Sequence, residues 1–349
     1  MNVYRNIFPL IISTKNLFDA WEVFKNDKRN RPDVALFERQ VERHLFQLHR
    51  ELKDKTYRHG SYEGFWIHDP KQRRIHKATV RDRVLHHAIF KVLNPIFEET
   101  FIPTSFSCRI GKGTHKGMKE LAAMIRAVSR NETRPCYALK CDVRKFFDSI
   151  DHDTLLEILG KRIKDTDAMW LIRELIESFI ASRPNLFERR GLPIGNLTSQ
   201  IFANIYMNEF DQFVRHTLHV KYYVRYTDDF AIVADDKEYL NKLLPRMRTF
   251  LNEKLHLELH PRKVILRKYG QGVDFLGYVI LPHHITLRTK TEHRMFRRLA
   301  ERVSAYRSDA INETALFGSL RSYLGVLSHA DAYRLGQDVQ NNFWFQMKE

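Results

Sequence analysis

Residues Tyr222–Asp236 read YYVRYTDDFAIVADD. Two apolar, β-branched runs flank Thr227, Asp228 and Asp229, a pattern that predicts a hairpin with these polar residues at its turn. Two like charges side by side at the edge of a buried sheet are costly. They become tolerable when a further carboxylate and a cation complete the cluster. The apolar, strand-like run YALKCD, residues 137–142, supplies that carboxylate at its end, Asp142. If the two strands are neighbours, three carboxylates converge. Oxygen-only ligands select Mg²⁺, with Mn²⁺ as a substitute, and two such ions about 4 Å apart clamp an in-line phosphoryl displacement.

The chain of 349 residues is long enough for two or three domains or one multi-lobed enzyme. Hydrophobic residues make up 43% and aromatics 12%, which excludes a disordered chain. Lysine and arginine outnumber aspartate and glutamate by 58 to 42, and the net charge of +16 points to a polyanionic partner. Nucleic acid comes first, an anionic membrane surface second. The three cysteines, Cys108, Cys136 and Cys141, show no C-x-x-C spacing, which argues against a disulfide framework or zinc site and fits a reducing cytosol. The apolar run IFPLII is too short to span a bilayer. A cytoplasmic protein without a membrane partner is expected.

Along the chain, residues 15–55 carry apolar positions at helical spacing. GSYEGFWIHDPKQRRIHKA reads as a strand, a basic turn and a second strand. A helix follows over VRDRVLHHAIFKVLNPIFEETF, interrupted or ended in its first part by Pro95. Another covers residues 115–130. HDTLLEILGKRI, AMWLIRELIESFI and IFANIYMNEFDQFV read as helices, the last with Phe202, Tyr206, Phe210 and Phe213 on one face. Residues 238–255 are helical, and LELHPRKVIL and GVDFLGYVI read as short strands. In RTKTEHRMFRRLAERVSAYR seven Lys or Arg face two Glu, while Phe296, Leu299, Val303 and Tyr306 keep an apolar stripe. The sum is an α+β fold: a mixed sheet core with a helical C-terminal lobe.

Seven ordered blocks resemble reverse transcriptases. RRIHKATVRDRVLHHAI is similar to the family's fingers block and SFSCRIGKGTHKG to the block after it. CDVRKFFDSI resembles motif A, GLPIGNLTSQIFANIYMNEFD motif B and YTDD the Y-x-D-D of motif C. ELHPRKVIL resembles motif D, and VDFLGYVI the primer grip. The resemblance implies a right-hand polymerase with fingers, a palm built on an antiparallel sheet, and a short helical thumb. The expected division is an N-terminal helical extension over residues 1–60, fingers over 61–135, palm over 136–280 and thumb over 281–349. Within the family, Ile194-Gly195-Asn196-Leu197-Thr198-Ser199-Gln200 looks like the I/L-G-x-x-x-S-Q of diversity-generating retroelements. Group II intron and retron enzymes usually carry Q-G-x-x-x-S-P there.

The same resemblance implies roles. Asp142, Asp228 and Asp229 hold two Mg²⁺ per site, with the carbonyl of Val143 adding a ligand. Lys263 protonates the departing pyrophosphate. Lys71, Arg73 and Arg74 close on the triphosphate, Arg74 matching the family position best; a guanidinium suits bidentate phosphate contacts. Lys145, Phe146, Phe147, Gly195 and Gln200 line the dNTP site, with Phe147 as the steric gate against a ribose 2′-hydroxyl. Ile194 stands where most reverse transcriptases carry glutamine. An aliphatic side chain offers no hydrogen bond there, so misincorporation opposite template adenine is expected. On the basic C-terminal helix, Arg294, Arg297, Arg298 and Arg302 are expected to contact phosphates of the template RNA and the RNA/DNA hybrid. A small, basic, helical and oligomeric accessory protein is the further partner the resemblance implies. A defence-related or domesticated reverse transcriptase is the alternative with the same chemistry. An inactive RNA chaperone is disfavoured by three retained carboxylates.

Overall fold

The structure, a computed structural model, describes residues 2–69, 71–179 and 189–348. Residue 70, in the expected basic turn, and residue 180, at the end of the helix expected over 168–180, lie outside the described residues. The helical N-terminal stretch is divided into α1 (Phe8–Ile12), α2 (Thr14–Lys25), α3 (Pro32–Glu38) and α4 (Val41–Lys53). Pro32 opens α3, and Gln40 leaves helical geometry at φ −132° before α4. The two strands β1 (Glu63–Ile67) and β2 (Arg73–Lys77) pair as the expected antiparallel hairpin.

Helix α5 (Val80–Glu98) is capped by Thr79, whose hydroxyl accepts from the Asp82 N–H. It runs through Pro95 rather than ending there. Pro95 is exposed, and buried Ile96 and Phe97 hold the last turn to the core. Then come α6 (Thr114–Ser129), β3 (Tyr137–Asp142), α7 (Phe146–Ser149), α8 (His152–Arg162), α9 (Thr166–Glu177) and α10 (Leu197–Gln212). Helix α10 is buried on nearly every side, so it is a central helix rather than one with a single apolar face.

The hairpin quoted at the outset forms β4 (Tyr223–Tyr226) and β5 (Asp229–Ala234), leaving Thr227 and Asp228 as its turn; Asp229 already belongs to the strand. After α11 (Lys237–Leu255), β6 (Ile265–Lys268) completes an antiparallel sheet of order β4-β5-β3-β6. The strand expected over LELHPRKVIL starts late. Leu259 makes one bridge to Val143, and the chain then turns at Pro261, with Lys263 N–H donating to the His260 carbonyl at 3.1 Å. GVDFLGYVI is two strands, β7 (Val273–Phe275) and β8 (Tyr278–Ile280). They are joined through Leu276 and Gly277, both at positive φ, as a two-residue hairpin with primed twist requires. A third strand, β9 (Ile285–Leu287), extends this small sheet past residue 280. Helices α12 (Thr289–Arg307), α13 (Glu313–Leu327) and α14 (Tyr333–Lys348) follow.

Strands β3, β4 and β5 of this sheet are buried on both faces, which is why they read as largely apolar runs, whereas the edge strand β6 is mostly exposed. Leu139, Cys141, Phe230 and Ile232 join the core shared with the N-terminal helices and α8–α11. The alternate residues Ala138, Ala231 and Val233 join a second core under α6, the β7–β9 sheet and the last three helices. Asp142, Asp229 and Lys140 share the parity of that second face, at the end of β3 and the start of β5. Among the described residues no helix is long and apolar enough to cross a membrane.

Candidate active site

Sheet register brings the three carboxylates together. β3 and β5 are antiparallel with Asp142 directly opposite Asp229, and Asp228 precedes Asp229 in the turn. The N–H of Val143 donates to the Asp228 carbonyl at 3.2 Å, tying the turn to the end of β3. Burial raises the pKa of Asp228, and the neighbouring Asp142 raises it further. Burial also pushes Asp229 up to about 6; Lys140 pulls it back, while Asp142 and Asp228 add to the rise. The buried Oδ1 of Asp229 has no hydrogen-bond partner among the described residues.

Lysines take both oxygens of Asp142 and the second oxygen of Asp229. Lys263 Nζ lies 2.8 and 2.9 Å from the two oxygens of Asp142, and Lys140 Nζ lies 3.4 Å from Asp229 Oδ2. With these pairs in place, no three His, Cys, Asp or Glu side chains among the described residues are disposed to share one ion. The donor chemistry nevertheless fits a divalent cation: hard carboxylate oxygens, one of them buried and unpartnered, in a site too acidic to be left uncompensated.

The β1–β2 hairpin reaches over this cluster. Lys71 is depressed in pKa, first by burial and then by Lys263, and feels the opposing fields of Asp142 and Asp228. Arg73 acts on both Lys71 and Asp228. Arg74, the next residue on β2, takes the opposite face of the ribbon, and its guanidinium lies against Gly64. Lys71 and Arg73 are therefore the cations the hairpin brings to the aspartates.

The two phenylalanines separate. Phe146 is core, 2% exposed, whereas Phe147 is half-buried and its carbonyl accepts from Leu192 N–H at 2.7 Å. Exposed Lys145 precedes them at φ +45°. The Ile194 carbonyl accepts from the His76 N–H at 3.0 Å, and Asn196 Nδ2 donates to the His76 carbonyl at 2.9 Å, which docks this loop on β2. Gly195 sits at φ +113°, and a Cβ there would stand 2.8 Å from Ile75 Cγ2; only glycine meets both demands. Gln200, on the first turns of α10, lines a cavity of about 290 Å³ with Gly195, Phe65 and Ile75.

Of the arginines on α12, Arg298 Nε donates to Asp69 Oδ2 at 2.7 Å, with Arg297 3.8 Å from the same oxygen and Arg294 adding its field. The β1–β2 hairpin thus touches the C-terminal helices. Arg302 and Arg298 line a groove of about 740 Å³ between α12 and α13. Two neighbours of the candidate site were not foreseen, Lys140 and Arg225. Their signal was a lone cation inside an apolar strand, in YALKCD and in YYVRY.

Comparison with known proteins gives the context. Residues 67–280 match the family described as Reverse transcriptase (RNA-dependent DNA polymerase). Protein YkfC of Escherichia coli (strain K12) is 25% identical over 249 residues, 60% of this chain and 64% of that protein. The group II intron-encoded protein LtrA of Lactococcus lactis is 23% identical over 305 residues, covering 68% of this chain and 50% of LtrA. The chain thus spans between half and two thirds of these relatives. Among solved structures, apo telomerase from Candida tropicalis, truncated from its C-terminal domain, matches with a TM-score of 0.49 at 12% identity, over 66% of this chain and 55% of that one.

Proposed function

Because this chain belongs to the reverse transcriptase (RNA-dependent DNA polymerase) family, we propose that it copies a template RNA into cDNA by nucleotidyl transfer. The observation that carries this is the register of β3 on β5, which sets Asp142 opposite Asp229 with Asp228 beside it, under Lys71 and Arg73. In the reaction the primer 3′-hydroxyl gives up its proton to solvent, and its oxygen forms a bond to the α-phosphorus of a dNTP. The bond to the β-phosphate oxygen breaks, and pyrophosphate leaves. Asp142, Asp228, Asp229 and the Val143 carbonyl would hold two Mg²⁺, which when bound supply charge for the attacking and leaving oxygens. Lys71 and Arg73 bind the triphosphate, with Arg74 on the outer face of the hairpin. Lys263 gives a proton to the departing pyrophosphate. Phe147 closes the site to a 2′-hydroxyl, beside Lys145 and with Phe146 behind it. Gly195 and Gln200 border the base pair being formed, and Arg294, Arg297, Arg298 and Arg302 take phosphates of the RNA/DNA hybrid.

The finer proposal is a diversity-generating enzyme that errs at template adenines and works with a small basic helical accessory protein. Ile194 supports it, because an aliphatic side chain replaces a hydrogen-bonding one at the nascent pair. A defence-related or domesticated bacterial enzyme with the same chemistry is the second reading; relatives such as LtrA, named as intron-encoded, and YkfC share the family without singling out the diversity-generating type. Primer extension on RNA with dNTPs and Mg²⁺, with the cDNA sequenced, separates them. Wild type should extend and Asp228→Ala/Asp229→Ala should not. Errors concentrated at template adenines, and reduced by Ile194→Gln, support the mutagenic enzyme. Faithful cDNA sinks it in favour of the second reading, and no cDNA under any condition sinks both.

A further inference from the structure

Beneath the Thr227–Asp228 turn lies a charge that nucleotidyl transfer does not obviously need. Arg225 is fully buried in β4, two residues before the turn. It forms a two-pronged pair with Asp211 of α10, equally buried: Nε to Oδ1 at 2.7 Å and Nη2 to Oδ2 at 2.6 Å. Tyr223 donates its hydroxyl to the same Asp211 at 2.7 Å. Burial works against the guanidinium charge, but Asp211 outweighs it and the group stays ionised.

The third nitrogen shows what the pair is for. Arg225 Nη1 donates to the Thr227 carbonyl at 3.0 Å and, more weakly, to Asn204 Oδ1 at 3.4 Å. Thr227 needs that hold. It is a β-branched residue at φ +55°, a conformation such side chains avoid at a cost. Its hydroxyl donates to Ser107 Oγ at 2.6 Å, and the Ser107 carbonyl accepts from Asn204 Nδ2 at 2.8 Å. The backbone of Arg225 is pinned as well: its N–H donates to the Thr104 carbonyl at 3.0 Å, and its carbonyl accepts from Phe106 N–H at 2.9 Å. Loop, helix and strand thus all converge on one strained peptide. The residue after that peptide is Asp228.

We infer that Arg225, anchored by Asp211, is the positioning residue of the catalytic turn: it holds the Thr227 carbonyl so that Asp228 and Asp229 keep one orientation. This rests on the polymerase function proposed above. A lysine at 225 can pair with Asp211, but its single ammonium cannot also span to the Thr227 carbonyl while keeping both prongs. A buried pair with no other role is replaceable by apolar residues of similar volume. A positioning pair is not.

Two variants test this in the full chain. Arg225→Lys keeps the charge pair. Tyr223→Phe/Asp211→Leu/Arg225→Met removes the whole network without leaving a charge or hydroxyl orphaned. Four readouts are compared with wild type: thermal melting, metal-free hydrogen exchange of residues 223–231, Mn²⁺ affinity by electron paramagnetic resonance, and affinity for an RNA/DNA template–primer. We expect both variants to fold, with exchange of the turn amides at least tenfold faster, Mn²⁺ binding at least tenfold weaker, and affinity for an RNA/DNA template–primer within twofold of wild type. Wild-type exchange and Mn²⁺ affinity in the folded variants would overturn the proposal. So would loss of folding in both, which would make the pair a folding element only. If wild type makes no cDNA or binds no Mn²⁺, the polymerase function fails, and turn exchange alone still decides whether Arg225 holds the turn.

Discussion

Replacing Asp229 by asparagine should make the metal-free protein more stable while abolishing extension. In the folded chain the carboxyl is raised from 3.8 to about 6, chiefly because it is buried. The sign follows by linkage. A raised acid binds more protons folded than unfolded, so stability is greatest below the unfolded value and is lost as pH climbs through 3.8 to about 6. At about 1.4 kcal/mol per pH unit, the ionised carboxylate costs the native state ~3 kcal/mol at pH 8. That figure already sets the attraction of Lys140 against burial and the fields of Asp142 and Asp228. Asparagine keeps the shape and discards the charge. Asp229→Asn should therefore melt roughly 5 °C above wild type at pH 8 in EDTA. About half of the free-energy gap should be gone at pH 5 and roughly four-fifths of it at pH 4. Mg²⁺ should raise the wild type selectively, because binding to the native state adds stability by mass action. A variant that melts at or below wild type at pH 8 would refute the claim that this carboxylate is held at a cost.

Other outcomes follow from single contacts. Gly195→Ala should lower stability by roughly 1–3 kcal/mol, since it combines φ +113° with a Cβ 2.8 Å from Ile75 Cγ2; adding Ile75→Ala should recover only part of the melting temperature, because the backbone strain persists. Asp69→Asn frees Arg298 and Arg297 from a carboxylate 2.7 and 3.8 Å away. Affinity for a template–primer duplex should rise roughly two- to five-fold at low salt, with the gain gone at high salt when fluorescence anisotropy is repeated there. Phe147→Ala should raise incorporation of rNTPs relative to dNTPs by roughly tenfold, whereas Phe146→Ala, which empties a core position, should show its effect in the melting curve instead.

How far the sequence carried the fold depended on how local each signal was. β3, β5 and the β1–β2 hairpin were legible because each is a contiguous run, and both faces of β3 and β5 are buried, so no polar alternation blurs them. The same rule failed for GVDFLGYVI. A hairpin turn usually announces itself with Asn-Gly or Asp-Gly, but here Leu276 takes φ +52°, and the run reads as one strand. Pro95 misled for a related reason: a proline's cost to a helix can be outweighed by packing on either side of it, here by buried Ile96 and Phe97, and burial cannot be read from the letter. Within the site, Asp142, Asp228 and Asp229 were legible as residue types at strand ends. The sequence favoured Arg74 for the triphosphate, but a one-residue difference changes face, and the β1–β2 register turns Arg73 rather than Arg74 toward the aspartates. The Arg225–Asp211 pair was invisible for the opposite reason: its partners lie on different elements, and each alone resembles an isolated charge in an apolar segment.

The cluster poses two problems that pull against each other. Folding in the absence of metal requires every carboxylate to be compensated by the chain itself. Chemistry requires those same oxygens to be available. The site answers by giving its counter-charges different degrees of freedom. Lys263, 38% exposed and on a loop, holds Asp142 through an ammonium that can swing away at little cost. Lys140, 17% exposed and fixed by the register of β3, stays beside Asp229 and limits how far its pKa climbs. Arg225 is immobile beneath the turn and neutralised by Asp211, so it contributes geometry rather than net charge. Exchanging these roles should fail in distinct ways. Lys263→Met should leave folding nearly intact, because Asp142 remains partly solvated. Lys140→Met should push Asp229 higher still and shift the onset of extension to higher pH, since Lys140 is the one attractive neighbour among the causes acting on that carboxyl. A pH–rate profile that does not move in Lys140→Met would mean that Asp229 is not the group whose ionisation limits the reaction.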